Sequence, residues 1–367
     1  LDIAVVRIEV EDRAEMLVAL DRHEFGEELF LALEIDVERP FRDSGGLGDL
    51  AHARGIESLG EEEPAYLRLL DGRNGVEKWP ASAAAYSDEN RVHPRSTPAI
   101  GDIDGDGNVE IVAVKQGGGV IAFNADGSLK LRSGEADGSS FESTAIALAD
   151  LNGDGKSEII AAGIVYDGTG KRLFDRGSNF GSNASSYGAI SLVADVVGDP
   201  RPEILSGSRA IDAGGHDVWS IAEADGYPAI GDLDLDGKPE LVVVSTKLGA
   251  TEVRIQDAAT GAVLARKTLV GSTGGGPPTI AQFDGIGGQD FAFASGQRYS
   301  VFTYAASPTP AINLLWESVT QDVTSGRTGS TVFDFEGDGK AEVLYNDECY
   351  LRVYRGDSGE VIYEMPN

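Results

Sequence analysis

The sequence predicts an all-β protein, and three observations carry that reading. Short apolar runs alternate with Gly-containing turns such as Asp126-Gly127 and Asp167-Gly168 along 367 residues. The 48 glycines are spread along the chain without a period of three, which excludes a collagen-like rod. A nine-residue acidic stretch returns at intervals that leave room for a few short strands each time. One large β architecture accommodates this length, and tight turns between short strands explain the glycine.

The clearest copy of the acidic stretch is DIDGDGNVE, from Asp102 to Glu110. It returns as DLNGDGKSE from Asp150, DLDLDGKPE from Asp232 and DFEGDGKAE from Asp334. Two decayed copies fill the gaps. DVVGDPRPE from Asp195 has Val197 at its third position, and QFDGIGGQD from Gln282 lacks the first and fifth carboxylates. The six starts are separated by 48, 45, 37, 50 and 52 residues. Internal periods of this size are the mark of a repeat architecture.

After each acidic stretch comes an apolar run, then a hairpin such as VIAFNADGSLKL or LRVYRGDSGEVIY. Alternation around a Gly-containing turn identifies these hairpins. Each unit therefore contains an inner strand such as TPAIGD, the acidic loop, a second strand such as IVAV, and the two hairpin strands. Four strands per repeat predict a β-propeller of four-stranded blades, whose ring must close because no blade can bury both faces alone. Seven hairpins stand against six loops, and the extra hairpin, YLRLLDGRNGVEKW, comes first. Upstream of it, Asp49 to Glu57 keeps only the first and last carboxylates. A worn seventh loop and an unrelated acidic stretch both remain open there, and seven blades are expected. The propeller is assigned to residues 46–367. Residues 1–45 match no blade: VEDRAEMLVALDRH reads as a helix and LFLALEIDVERPF as a strand, and a cap, an outer strand or a neighbouring module are all open.

Large residues recur four positions beyond the hairpin-turn glycine. Gly75 leads to Trp79, Gly127 to Leu131, Gly170 to Phe174, Gly215 to Trp219 and Gly359 to Tyr363. One large residue at one repeated place is read as packing between blades, not as a platform for sugar rings.

The acidic loop has the chemistry of a hard-cation site. Carboxylates at alternate positions converge when a glycine turns the backbone, and oxygen-only ligands in a flexible cage suit Ca²⁺ better than Mg²⁺. The expected ligands are Asp102, Asp104, Asp106, Asn108 and Glu110 in the first loop, and Asp150, Asn152, Asp154, Lys156 and Glu158 in the second. Asp232, Asp234, Asp236, Lys238 and Glu240 follow, then Asp334, Glu336, Asp338, Lys340 and Glu342. Asn108 and the three lysines would contribute backbone carbonyls. The first five positions match an EF-hand loop, but position 12 holds Ala113, Ala161, Val243 and Tyr345 instead of Glu, and the flanks are strand-like. With the last carboxylate at position 9, the loops resemble the FG-GAP repeats of integrin α-subunit propellers and their bacterial VCBS-type relatives. The resemblance runs from about Gly46 to the end of the chain. It implies a propeller whose Ca²⁺ loops join the first and second strands of each blade.

Charge and composition narrow the function. With 61 acidic and 30 basic residues the formal charge is −31, so nucleic acid is not an expected partner. Bound cations would cancel part of that excess. No apolar run reaches the length of a membrane span, so no direct membrane insertion is expected. Cys349 is the single cysteine, read as a semi-buried strand residue. The chain begins at Leu1 and ends soon after its last hairpin, as a mature chain or a piece of a larger protein would.

Links between blades open on the face opposite the acidic loops and are rich in Asn, Ser, Tyr, Arg and His. Tyr86, Asn90, Arg91, His93, Tyr187 and Arg327 are the candidate ligand contacts there. Arg91 with Arg95 is the one obvious basic patch for an anionic ligand. The expected function is a secreted or cell-surface recognition module that binds a glycan or a protein. A lyase-like polysaccharide enzyme using His93 and a structural part of a larger assembly are the alternatives. One histidine in a polar loop is thin support for catalysis, and no nucleophile elbow, phosphate loop or zinc spacing occurs, so no enzyme is expected. The oligomeric state is left open.

Overall fold

The computed structural model describes residues 3–10, 14–21, 30–36, 65–72, 74–133, 143–183, 188–247, 249–323 and 328–367. Among them, strands form seven four-stranded antiparallel sheets, and the helical segments are two single 3-10 turns, Ala84–Tyr86 and Asp88–Asn90.

Six sheets follow the repeat. In the first of these, Ala99–Gly101, Glu110–Val114, Val120–Asn124 and Leu129–Arg132 pair in chain order. The acidic loop joins the first two strands and the hairpin turn joins the last two. The other five begin at Ile146–Ala149, Leu192–Ala194, Tyr227–Gly231, Thr279–Ala281 and Ser330–Phe333. First strands lie side by side around a common axis, with parallel bridges from Thr97 to Ala145 and from Ala145 to Ile190. Because neighbouring strands run antiparallel, acidic loops and hairpin turns share one face, and the blade-linking loops lie at the other ends of the strands.

Second strands carry continuous apolar runs because both of their faces are covered by neighbouring blades. Glu110–Val114 and Asp290–Ser295 are buried at every position. The cores therefore lie between sheets. One of them joins Val112, Val114 and Ala122 to Ile159, Ile164 and Tyr166 of the next blade. Another joins Val242 and Ile255 to Phe291 and Phe302. Each such large apolar side chain contributes about 1.5–3 kcal/mol when fully buried.

Of the repeated large residues, Trp79, Leu131, Phe174 and Trp219 pack between blades, whereas Tyr363, expected to do the same, is exposed. Trp79 and Trp219 are buried, and their indole N–H groups donate to the carbonyls of Ala125 and Ala258 in the next hairpin turn, at 3.0 and 2.9 Å. Trp316 does the same to Gly356 at 2.5 Å, although the count from turn glycines misses it because its own hairpin has a longer turn.

The seventh sheet is built differently. It pairs Phe30–Asp36, Ala14–Asp21, Ile3–Val10 and Ala65–Asp71 in that order. Ala14–Asp21 is thus a strand, not the helix expected. Its backbone pairs with Ile3–Val10 from Val10↔Ala14 to Ile3↔Asp21, and this ladder overrides the helix preference of Ala, Glu and Leu. The expected boundary at residue 45 and the stretch Asp49 to Glu57 lie outside the described residues.

Candidate metal centres and the loop face

Each acidic loop is first a folded turn. At position 1, Asp102 accepts from the N–H groups of Gly105 and Gly107 at 2.7 and 2.8 Å. Asp150 holds Gly153 and Gly155 in the same way, and Asp334 holds Gly337 and Gly339. These bonds, led by the one from position 6, hold the Asp102, Asp150 and Asp334 carboxyls below the usual range. The glycine at position 6 is left-handed, with φ of +83° at Gly107 and +82° at Gly237. In the decayed copy, Pro200 stands at that place and cannot take positive φ. Position 5 caps the turn: Asp106, Asp154, Asp236 and Asp338 accept from the N–H groups of Asn108, Lys156, Lys238 and Lys340 at 2.8–3.0 Å.

Position 9 has a role that the sequence reading missed. Its carboxylate accepts from the N–H of position 2 in all six loops. Glu110 binds Ile103, Glu158 Leu151, Glu203 Val196, Glu240 Leu233, Asp290 Phe283 and Glu342 Phe335. All six acids are buried. Burial, aided by the neighbouring loop aspartates, pushes the Glu240 carboxyl up to about 7. Burial likewise raises Glu158 and Glu203. The recurrence of an acid eight residues after position 1 was visible, but its backbone partner was not.

Two loops bring three carboxylates together. Asp102, Asp104 and Glu110 each place an oxygen within 4.8 Å of the others, and so do Asp232, Asp234 and Glu240. Asp104 Oδ1 and Asp232 Oδ1 are enclosed and have no hydrogen-bond donor. Converging hard oxygens with enclosed lone pairs left over fit a divalent cation of the Ca²⁺ type. In the loop at Asp150, the Asn152 amide donates to Glu158 Oε1 at 2.7 Å. In the loop at Asp334, Glu336 turns outward and accepts from Arg355 at 3.0 Å. Position 3 is therefore engaged elsewhere in both. The first loop also holds a cationic group, Lys130, whose Nζ lies 2.5 Å from Asp104 Oδ2 and 3.3 Å from Glu110 Oε1.

On the linking face, the expected ligand residues are tied into the fold. Asn90 is buried, donates to the Ala84 carbonyl at 2.7 Å and accepts from Arg132 at 2.6 Å. His93 is buried, with Nδ1 3.3 Å from the N–H of Arg95 and 3.4 Å from that of Ser143. Tyr86 donates to Glu77, and burial together with this bond raises its hydroxyl pKa. Arg91 stays half-buried, donates to Asp88 at 2.9 Å and stacks over the Tyr66 ring. Tyr187 and Arg327 lie outside the described residues.

The family of FG-GAP-like repeats matches residues 102–161, which span the first two acidic loops. The chain is a β-propeller carrying FG-GAP-like repeats. No curated protein matches it in sequence. Among solved structures, the propeller is similar to the Vibrio cholerae biofilm matrix protein Bap1, with TM-score 0.65 and 18% identity over 99% of this chain and 80% of that one. It is also similar to the exotype rhamnogalacturonan lyase YesX, with TM-score 0.55 and 15% identity over 94% of this chain. It spans 59% of the lyase, less than two thirds of that chain. The Dos1 propeller matches with TM-score 0.53 and 12% identity over 83% of this chain and 78% of that one. At these identities the likeness is one of fold. The expectation that the chain is not an enzyme is corrected here, because a polysaccharide lyase is built on the same fold. Among the described residues, no helix is long and apolar enough to cross a membrane.

Proposed function

We propose that the protein is a Ca²⁺-binding propeller that engages an extracellular polysaccharide through its blade-linking face. The observation that carries the metal is the pair of oxygen clusters at Asp102 and Asp232, each with an enclosed oxygen that no donor satisfies. Ca²⁺ there would tie each acidic loop to the second strand through positions 1, 3 and 9. It would stabilise the folded state by about 2.7 kcal/mol per site at a hundredfold excess over its dissociation constant. The polysaccharide is supported by two neighbours on the same fold, a biofilm matrix protein and a rhamnogalacturonan lyase.

Two uses of the polysaccharide follow. The first is recognition, as in adhesion. The second is cleavage, which the shared fold with the lyase keeps in view. Calorimetric titration with rhamnogalacturonan and with bacterial exopolysaccharide, read beside ultraviolet absorbance for unsaturated products, separates them. Binding without absorbance means recognition, and rising absorbance means a lyase. No binding and no turnover with any polysaccharide overturns the proposal. Chelation tests the metal: an unchanged melting curve in excess chelator removes it.

A further inference from the structure

The sequence contains two Asn-Gly steps, Asn74-Gly75 and Asn152-Gly153. At such a step the asparagine side chain can close on the following backbone nitrogen, because glycine brings no Cβ to block the approach. Both steps lie on exposed turns, and the space beside both glycines is open. Only the second sits inside an acidic loop. Asn152 holds position 3 there, where the loops at Asp102 and Asp232 carry Asp104 and Asp234.

The two steps differ in what faces the reacting atoms. The Gly153 N–H donates to Asp150 Oδ1 at 2.7 Å, and Asn152 Nδ2 donates to Glu158 Oε1 at 2.7 Å. One carboxyl group therefore faces the nitrogen that would attack, and another faces the nitrogen that would leave. At the first step the Gly75 N–H donates to the backbone carbonyl of Asp71 at 2.7 Å, a far weaker base than a carboxylate. The Asn74 side-chain oxygen accepts from the N–H of Val76 at 2.9 Å.

We propose that Asn152 is a deamidation site built into the second acidic loop, and that its conversion to an aspartyl residue completes a further carboxylate set for a divalent cation, a gain that rests on the proposed Ca²⁺ binding. The Gly153 nitrogen attacks the side-chain carbonyl carbon of Asn152 and forms a C–N bond, while its proton passes to Asp150. The bond from that carbon to Nδ2 breaks, and the nitrogen takes up one proton and leaves as ammonia. Water then opens the cyclic imide. Opening at the former side-chain carbonyl restores the backbone and leaves a carboxylate, with no oxidant or reductant involved. The product has the acidic pattern of the loop at Asp102 at positions 1, 3, 5 and 9. Without a cation its new charge stands against Glu158, so the loop loses stability in chelator and gains more from Ca²⁺.

Peptide mapping by mass spectrometry tests the site. The full chain is incubated with chelator at neutral pH, folded and in urea, and both asparagines are followed. Rates in urea set the scale for each step. Relative to that scale, Asn152 should convert severalfold faster than Asn74 in the folded chain, and equal or slower conversion overturns the site. Asp150→Asn keeps an oxygen for the Gly153 N–H but removes the carboxylate. It should slow conversion at Asn152 and leave Asn74 unchanged, and an unchanged rate at Asn152 overturns the role of Asp150. For the gain, Ca²⁺ is titrated into the wild-type chain and into Asn152→Asp. The variant should bind one further Ca²⁺, melt lower in chelator and show a larger rise in melting temperature with Ca²⁺. An unchanged site count, with Ca²⁺ still bound at other loops, overturns the gain alone. If neither protein binds Ca²⁺, the gain and the proposed Ca²⁺ binding fall together, and the peptide maps still decide the modification.

Discussion

Gln282 Nε2 donates to the carbonyl oxygen of Gly288 at 2.9 Å, while Gln282 Oε1 accepts from the N–H of Gly285 at 2.8 Å. The acceptor half repeats what aspartate does at position 1 of the other loops. The donor half binds a loop carbonyl, as a cation would. This loop has lost two carboxylates and is closed by an amide instead.

Gln282→Ala should therefore lower thermal stability by an amount that is the same with and without chelator. Calorimetric melts in both conditions check this. A loss that vanished in chelator would mean that Gln282 belongs to a metal site.

The ammonium of Lys130 competes for the oxygens that a cation would use in the first loop. Lys130→Met should tighten Ca²⁺ binding there by about twofold to fivefold, since a partly exposed ion pair of this kind is worth up to about 1 kcal/mol. Titration calorimetry should show the change in one site only. Weaker binding in the variant would place Lys130 among the groups that hold the loop in its metal-ready shape.

Burial pushes the Asp290 carboxyl up to about 6. A carboxyl whose pKa is raised in the folded state favours folding while it is protonated. That contribution is fully present below the ordinary Asp range and is lost as pH rises through about 6. Asp290→Asn keeps the acceptor for the Phe283 N–H and removes the buried charge. It should raise stability at pH 7–8, by at most about 3 kcal/mol at 1.36 kcal/mol per pKa unit, with no difference near pH 3.5. Melting temperatures across pH 3.5–8 check the slope, and equal slopes in both proteins would rule out this titration.

Leu235 holds φ of +61° at a loop position where all five sister loops carry glycine, and it is mostly exposed. A left-handed Leu costs about 1–2 kcal/mol, and glycine recovers part of that against its own larger unfolded-state entropy. Leu235→Gly should raise stability by up to about 1 kcal/mol in denaturant melts. A loss would show that the exposed Leu side chain packs on something the strain is worth keeping for.

Much of the architecture was legible because it is local and repeated. The distance from Asp102 to Glu110, recurring from Asp150, Asp232 and Asp334, marks the loops. The apolar run after each loop marks a strand covered on both faces, and Trp79 and Trp219 announce the junctions. The fold of a repeat protein is spelled out in every unit, so one decayed copy does not hide it.

The sequence by itself determined the strand order within each repeat, the carboxylate spacing and the glycine turns, because these depend on neighbours within a few residues. Tertiary structure alone decided which oxygens stay available. Lys130 reaches the first loop from a hairpin strand, Arg355 draws Glu336 away from the fourth, and Asn152 spends its amide on Glu158. It also decided that Asn90 and His93, polar residues in a link that reads as a ligand loop, are buried beneath packed elements. Asn152 and Glu158 belong to one loop, whereas Lys130 and Arg355 lie on hairpin segments apart from the loops they reach, and only the packing of the strands sets those distances. The Ala14–Asp21 strand has the same cause: its ladder partner, not its own residue preferences, chose its conformation.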